Sequence, residues 1–260
     1  MNEQSEKNKK VWEYRAYEYW LKNDGLPEER AKIIMENPIA RLKKHSKYFQ
    51  DIKGLKIANP CGSNGRRAVA LALLEADVTV FDISEENKKY ALELASHAEI
   101  NLNYIVGDLY DIDMNVYGSY FDMLYLEGGI LHHFHDIDKF MDTLFLMLKP
   151  MGRIVLNDFH PFRKVMPINF FKSSVEDYFD AGVHGDYAPY IDFLDKMENE
   201  EFPSGSYRLY NFSEIINSMI KSGFTIKELN EDPSWTNAKL PGEFTIYAIK
   251  HNILGGGIDD

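Results

Sequence analysis

The stretch from Leu55 to Asp82, LKIANPCGSNGRRAVALALLEADVTVFD, constrains the fold more than any other part of the chain. Leu55, Ile57 and Ala58 form a short apolar run with a β-branched member, the pattern of a buried strand. Asn59-Pro60-Cys61-Gly62-Ser63-Asn64-Gly65 then offers only small or turn-compatible residues. Arg67 to Glu75 is rich in Ala and Leu, both strong helix formers. Val78, Val80 and Phe81 make the next strand, which ends at Asp82. Strand, open turn, helix, strand is a unit of a parallel sheet.

That unit implies a ligand. A turn of small residues between a strand and a helix lets backbone N–H groups approach a bound molecule closely. A carboxylate at the end of the following strand can accept two hydrogen bonds from a ribose diol. The pair places a nucleoside at the carboxyl edge of the sheet. A dinucleotide fingerprint would need three glycines, and only Gly62 and Gly65 are present, which argues against a pyrophosphate cradle. An ordinary strand-to-helix turn is the plainer alternative for the glycines alone.

Further along, the pattern repeats. Ser84 is suited to cap a helix, with Glu85 and Glu86 in its first turn, running to about His97. Leu102 to Val106 is a third strand, followed by Gly107-Asp108-Leu109-Tyr110-Asp111. Tyr120 to Leu126 is a fourth, leading into Glu127-Gly128-Gly129-Ile130-Leu131-His132-His133-Phe134. A helix from about Ile137 to Leu148 stops before Pro150, and Arg153 to Asn157 is a fifth strand. Asn211 or Ser213 caps a helix that Gly223 ends. Phe224 to Leu229 and Glu243 to Lys250 read as an antiparallel pair closing the sheet.

From about Leu55 to Lys250 the chain resembles the class I S-adenosylmethionine-dependent methyltransferases, of the small-molecule type. Their first motif is usually an acid followed by three glycines at alternate positions. Asn59, Cys61, Ser63 and Gly65 stand at those positions here, so three of the four depart from the pattern. The later motifs, above all LKPMGRIVLNDF and the Leu-His-His run, lie closer to it. The resemblance implies that the cofactor is S-adenosylmethionine. It implies that Asn59, Cys61, Gly62, Ser63, Gly65, Asp82, Ile83, Asp108, Leu109, Glu127 and Gly128 line its site. In that arrangement Asp82 contacts the ribose, and Asp108, with Leu109, the adenine. The alternatives are a nicotinamide-dependent oxidoreductase on a related fold and a non-catalytic nucleoside-binding module. The missing third glycine and the absence of a helical Tyr-x-x-x-Lys pair disfavour the oxidoreductase.

Methyl transfer from a sulfonium is an in-line displacement on a carbon that is already activated, so positioning is the protein's main task. A base is needed only if the acceptor must lose a proton. His132, His133 and His160 are the catalytic candidates, with Glu127 and a lid tyrosine behind them. Two metal arrangements are conceivable: His132, His133, His135 and Asp136, or Glu127 with Asn157 and Asp158. Adjacent residues on one turn rarely converge on an ion, and the second set matches metal-dependent methyltransferases only loosely, so no metal is expected. The Pro60-Cys61 pair invites a nucleophilic reading, but its place in the cofactor turn makes Cys61 a small packing residue.

The N-terminal part offers the substrate candidates. Residues 1–10 are polar and expected to be disordered. Val11 to Lys22 reads as one amphipathic helix, with Trp12, Ala16, Tyr19 and Trp20 on a single stripe. Trp12, Tyr17 and Trp20, together with His160 and Tyr207, are the residues expected to close over the acceptor. Pro27 opens a second helix to about Glu36, and a third runs from Ile39 to about Phe49. Residues 159–210 break the repeating pattern with many aromatics, among them Phe159, Phe162, Phe170, Phe171, Tyr178, Phe179, Tyr190, Phe193 and Phe202, and with Pro161, Pro167, Pro189 and Pro203. A long connection of this kind is expected to be a substrate lid. Its other reading is a decorative subdomain or a contact between copies in a homodimer.

The expected architecture is an α/β doubly wound, seven-stranded, mostly parallel sheet with an antiparallel last strand, an N-terminal helical cap and an inserted lid. The divisions are 1–50 for the cap, 51–158 for the cofactor-binding core, 159–210 for the lid, and 211–260 for completion of the sheet and a mobile tail. Over 260 residues the net charge is −12, a poor match for a phosphate backbone, so no nucleic-acid partner is expected. No apolar stretch of membrane-spanning length and no secretory leader is evident, and Cys61 is the only cysteine, which together fit a cytoplasmic protein. The acidic balance and the aromatic insertion suggest a neutral or cationic, partly apolar small-molecule acceptor.

Overall fold

The computed structural model describes residues 1–165, 177–187, 190–195 and 200–251. Its strands in chain order are β1 (Lys56–Pro60), β2 (Asp77–Asp82), β3 (Asn103–Val106), β4 (Phe121–Glu127), β5 (Leu148–Phe159), β6 (His184–Tyr187), β7 (Ser204–Tyr207), β8 (Phe224–Pro233) and β9 (Pro241–Lys250). Seven of them form one sheet in the order β3-β2-β1-β4-β5-β9-β8. β1 to β5 are mutually parallel, and β9 runs antiparallel to both of its neighbours. The strand order reverses between β1 and β4, and open sheets bind ligands in the crevice at such a reversal, outside the carboxyl ends.

The helices are α1 (Glu3–Glu13), α2 (Ala16–Asp24), α3 (Pro27–Glu36), α4 (Arg66–Leu73), α5 (Glu85–His97), α6 (Met114–Tyr117), α7 (Ile137–Met147) and α8 (Phe212–Lys221). Their ends follow local chemistry. The Ser84 side chain accepts the Asn87 N–H to cap α5, and Asn211 and Glu214 form a reciprocal capping box at α8. The alternation of β4 distributes its side chains between two cores. Met123 and Tyr125 pack with Ile57, Val69, Val80 and Leu94, whereas Leu124 and Leu126 pack with Phe140, Leu144 and Phe244.

Four expectations are corrected. Residues 1–10 are not disordered: α1 begins at Glu3, capped by Asn2, whose side chain accepts the Ser5 N–H. Val11 to Lys22 is not one helix, because Arg15 takes a left-handed conformation (φ 50°) that ends α1 and starts α2. Trp12 and Trp20 therefore sit on different helices. The third N-terminal helix is a 3-10 segment, Pro38–Tyr48, kinked at Lys43 (φ 48°, ψ −127°). β5 also starts earlier than Arg153, at Leu148, and runs through Pro150.

The N-terminal helices and the insertion share a third apolar cluster. Val11, Ala16, Tyr190, Ile191 and Leu194 are buried in it, with Trp12, Tyr19 and Phe202 against them. The Tyr190 hydroxyl donates to the Val11 carbonyl (2.5 Å), and Arg15 pairs with Glu200 (2.6 Å). Within the insertion β6 and β7 form an antiparallel pair. Pro167, Phe170, Phe171 and Pro189, like the terminal LGGGIDD, lie outside the described residues. Among the described residues no helix is long and apolar enough to cross a membrane.

Candidate active site

Beyond β1 the backbone turns sharply. Cys61 (φ 54°), Ser63 (φ 50°) and Gly65 (φ 73°) are all left-handed, a conformation that costs a residue with a Cβ about 1–2 kcal/mol. Two glycines are fixed by space. A Cβ on Gly62 would lie 2.5 Å from Asn59 Oδ1, and one on Gly65 would lie 2.6 Å from the Ala91 Cβ. Asn59 donates its Nδ2 to the Tyr125 carbonyl (2.8 Å), while its buried Oδ1 has no hydrogen-bond partner among the described residues.

Asp82, at the tip of β2, receives the Ser63 N–H (2.9 Å), the Ser84 N–H (3.0 Å) and the Asn87 Nδ2 (3.1 Å). Burial pushes its carboxyl up, and these donors pull part of the way back. Ile83 follows it in the β2–α5 turn. Asp108 follows β3, the neighbour of β2. Its Oδ1 accepts the Tyr110 N–H (3.0 Å), while Oδ2 is buried without a partner among the described residues, with Leu109 buried next to it in sequence. An unmet buried carboxylate oxygen costs about 1–3 kcal/mol or more unless a donor reaches it. The exocyclic amine of adenine is such a donor, so the residues fit the nucleoside. The half-buried Cys61 thiol is pushed well above its ordinary value by desolvation, and then by the carboxylates of Asp82, Asp108 and Asp158. An edge that collects three acids suits a cationic ligand.

Glu127 has a different neighbour. The Arg67 guanidinium spans both of its oxygens, with Nη2 2.7 Å from Oε1, and Arg67 also donates to the Arg41 carbonyl. Burial alone would raise the Glu127 carboxyl, but Arg67 outweighs it and holds it below its usual range. Glu127 thus ties the end of β4 to α4. Gly128 and Gly129 (φ 97° and 76°) then carry the chain across.

The far side of the crevice gathers around Asp158 on β5. This buried carboxylate accepts the N–H groups of Ile130 (2.7 Å), Leu131 (2.8 Å) and Phe159 (2.6 Å). Burial raises it to about 6. The Leu131–His133 turn that it holds presents His132 stacked with Phe159 (6.3 Å between centroids) and His133 edge-on to Trp12 (5.2 Å). Burial lowers His132 well below the ordinary imidazole value and His133 to about 4, so both are neutral at pH 7. His160 accepts the Phe162 N–H on Nδ1 (3.0 Å), which leaves Nε2 as the protonated nitrogen donating to Glu231 (2.7 Å). A small recess, about 30 Å³ in volume, is lined by Leu131, His132, Asp158, His160, Arg163 and Tyr210, among others. The Arg163 guanidinium lies 3.5 Å over the Phe159 ring, and burial lowers it to about 10. Lys164, buried beside it, donates to the Asp180 (2.5 Å) and Leu209 (3.3 Å) carbonyls.

The remaining candidates scatter. Trp12 reaches His133. Trp20 donates its indole N–H to Asn87 Oδ1 (2.7 Å). Tyr17 bonds Glu93 (2.5 Å) under the Lys89 ammonium, on the α5 side rather than at the recess. Tyr207 is buried beside His184 (5.6 Å between centroids). Glu127, Asn157 and Asp158 are engaged separately, by Arg67, by Phe244 and Thr245, and by backbone N–H groups. Among the described residues no group of three or more His, Cys, Asp or Glu could hold a metal ion. Sequence reasoning missed Asp24, Asn87 and Arg163. Asp24 accepts from Asn64 Nδ2 (2.5 Å) and Arg66 Nη1 (2.9 Å), and nothing in its local sequence signals that role.

Residues 60–156 match the family model described as a methyltransferase domain. This stretch is a methyltransferase domain. The chain is an enzyme. The domain covers the turn after β1, Asp82, Asp108 and the Leu-His-His turn. A search of the curated proteins returns no match. Solved structures share the fold. Magnesium protoporphyrin IX methyltransferase from Synechocystis PCC 6803, with bound S-adenosylhomocysteine, superposes with a TM-score of 0.61 at 15% identity, covering 95% of this chain and 100% of that one. A methyltransferase from Mesorhizobium loti gives 0.57 at 17% identity, covering 83% and 99%. A third, from Listeria monocytogenes, gives 0.58 at 15%, covering 81% and 98%.

Proposed function

We propose that the methyltransferase domain binds S-adenosylmethionine across the tips of β1 to β4 and methylates a small molecule seated in the recess beyond β5. The observation that carries this reading is the pair of buried carboxylates at the ends of the paired strands, Asp82 at the tip of β2 and Asp108 just after β3, flanking an open turn. Asp82 accepts the ribose hydroxyls, Asp108 Oδ2 accepts the adenine amine, and Asn59 Oδ1 faces the turn where the methionine end would lie. The cofactor supplies a methyl group on a sulfonium. The chain supplies orientation and a water-poor wall. His132, neutral and at the recess, is placed to take a proton from an acceptor that must lose one. His133 backs it. His160 shapes the wall, because both of its ring nitrogens are engaged.

The division into cap, core, lid and closing strands is proposed on the same basis: residues 1–50 and 159–210 roof the edge that 51–158 and 211–260 build. The match of a small-molecule methyltransferase over nearly the whole chain supports that class of acceptor. Arg163 and Lys164 in the recess wall weigh against a cationic acceptor.

Calorimetric titration with S-adenosylhomocysteine tests the cofactor site; a wild-type protein that gives no binding isotherm overturns it. Mass spectrometry of a metabolite extract, before and after incubation with enzyme and S-adenosylmethionine, tests the acceptor class. The expected result is at least one small-molecule ion that gains a methyl group.

A further inference from the structure

Hydrogen bonds from one helix face reach both halves of the cofactor cradle. Trp20 and Asp24 are four residues apart on α2, which places them one above the other on the same face. Trp20 donates its indole N–H to Asn87 Oδ1 (2.7 Å), and Asn87 Nδ2 donates to Asp82 Oδ1 (3.1 Å). Asp82 Oδ2 accepts the Ser63 N–H (2.9 Å). The next residue, Asn64, donates to Asp24 Oδ2 (2.5 Å), and Arg66 adds a second donor to that carboxylate (2.9 Å). The chain of contacts thus leaves α2 at Trp20, passes through the acid after β2 and the turn after β1, and returns to α2 at Asp24. Asp82, Asn87, Asn64 and Asp24 are all buried.

We infer that Trp20 is a positioning residue for the cofactor, acting through Asn87 to set the carboxylate of Asp82. This rests on the proposed cofactor site. The physical reason is the asymmetry of an amide. An indole N–H only donates, and a carboxylate only accepts. Asn87 lies between them, so its oxygen must face Trp20 and its NH2 must face Asp82. If the indole N–H is removed, the Asn87 amide is free to rotate, and its oxygen can then oppose the carboxylate. Asp82 then loses a donor that holds it toward the turn. The N-terminal helices therefore belong to the cofactor site, although they precede every strand of the sheet.

Calorimetry with S-adenosylhomocysteine on full-length variants tests this. Trp20→Phe keeps an aromatic ring in the apolar contact while removing the donor and part of the indole's volume. It is expected to weaken binding about fivefold to tenfold, the scale of one hydrogen bond in a buried site. Asn87→Ala is expected to weaken it at least as much, and the double variant no more than Asn87→Ala alone, because both changes cut one path. In an NMR spectrum the Trp20 indole N–H signal, assigned by its loss in Trp20→Phe, is expected to shift in Asn87→Ala. Wild-type affinity in Trp20→Phe, or penalties that multiply in the double variant, would overturn the inference. Wild-type affinity in Asp82→Ala would instead sink the cofactor reading itself.

Discussion

The tips of β1, β2 and β3 and the recess beyond β5 both end in buried carboxylates, yet they are built in opposite ways. At the first, Asp82 and the turn it grips are close in sequence, and the donors that hold the acid include Ser63, Ser84 and Asn87. At the second, Asp158 is held by the turn after β4, and the wall is completed by Arg163 after β5 and Tyr210 before α8. Among the described residues, the first half leaves two buried polar atoms without a hydrogen-bond partner, Asn59 Oδ1 and Asp108 Oδ2. In the second, Asp158 and His160 are already engaged. The difference teaches where each specificity resides. On the proposed function, the cofactor is met by short-range chemistry, while the acceptor is met by residues that only the folded chain assembles.

If that division is right, the largest effect comes from filling the first region. Gly65→Val puts a branched side chain where φ is +73° and the Ala91 Cβ would be 2.6 Å away. The expected loss is about 2–4 kcal/mol of stability, read from chemical denaturation, together with loss of S-adenosylhomocysteine binding. A variant that binds normally would show that the turn is more adaptable than its packing implies. Next in size, Asp108→Ala should weaken S-adenosylhomocysteine binding by about tenfold to a hundredfold, since it removes a charged acceptor. An unchanged isotherm would break the assignment of β3 to the cofactor side.

The second region is sharpened by pH. The Asp158 carboxyl sits near 6 in the folded chain and near 3.9 when unfolded. Because the folded value is raised, its favourable contribution is complete below about pH 4 and is lost as pH rises through about 6, an effect of up to about 3 kcal/mol. Asp158→Asn lacks this dependence. Urea unfolding should show the wild type losing ground against the variant between pH 4 and 7.5, and parallel curves would deny that Asp158 is desolvated. The smallest effect is Ser63→Gly. It relieves a left-handed serine (φ 50°) at the cost of backbone entropy, for a net gain of at most about 1 kcal/mol in a thermal melt.

Much of the first region was legible beforehand. The open turn, Asp82 and Asp108 announce themselves because strand, turn and cap signals act over a few residues. Ser84 capped α5 as its hydroxyl requires, and Pro27 opened α3. Glu127 was expected at the cofactor site, but nothing near it in sequence reveals that Arg67 would span both of its oxygens. The break at Arg15 was hidden for a related reason. The stripe of Trp12, Ala16, Tyr19 and Trp20 satisfies helical periodicity, but the shared core with Tyr190 and Leu194 is accompanied by a turn at that point.

The sequence by itself determined the succession of the seven sheet strands and the open turn with Asp82 and Asp108 beside it, because each depends on spacing and on side-chain chemistry within one or two turns of chain. Tertiary structure alone decided that His160 is tied to Glu231, that Arg163 faces the recess, and that Trp20 and Asp24 of a leading helix reach Asn87 and the turn at Asn64. Those contacts join residues far apart in the chain. Only packing, which no local pattern encodes, brings them within hydrogen-bonding distance.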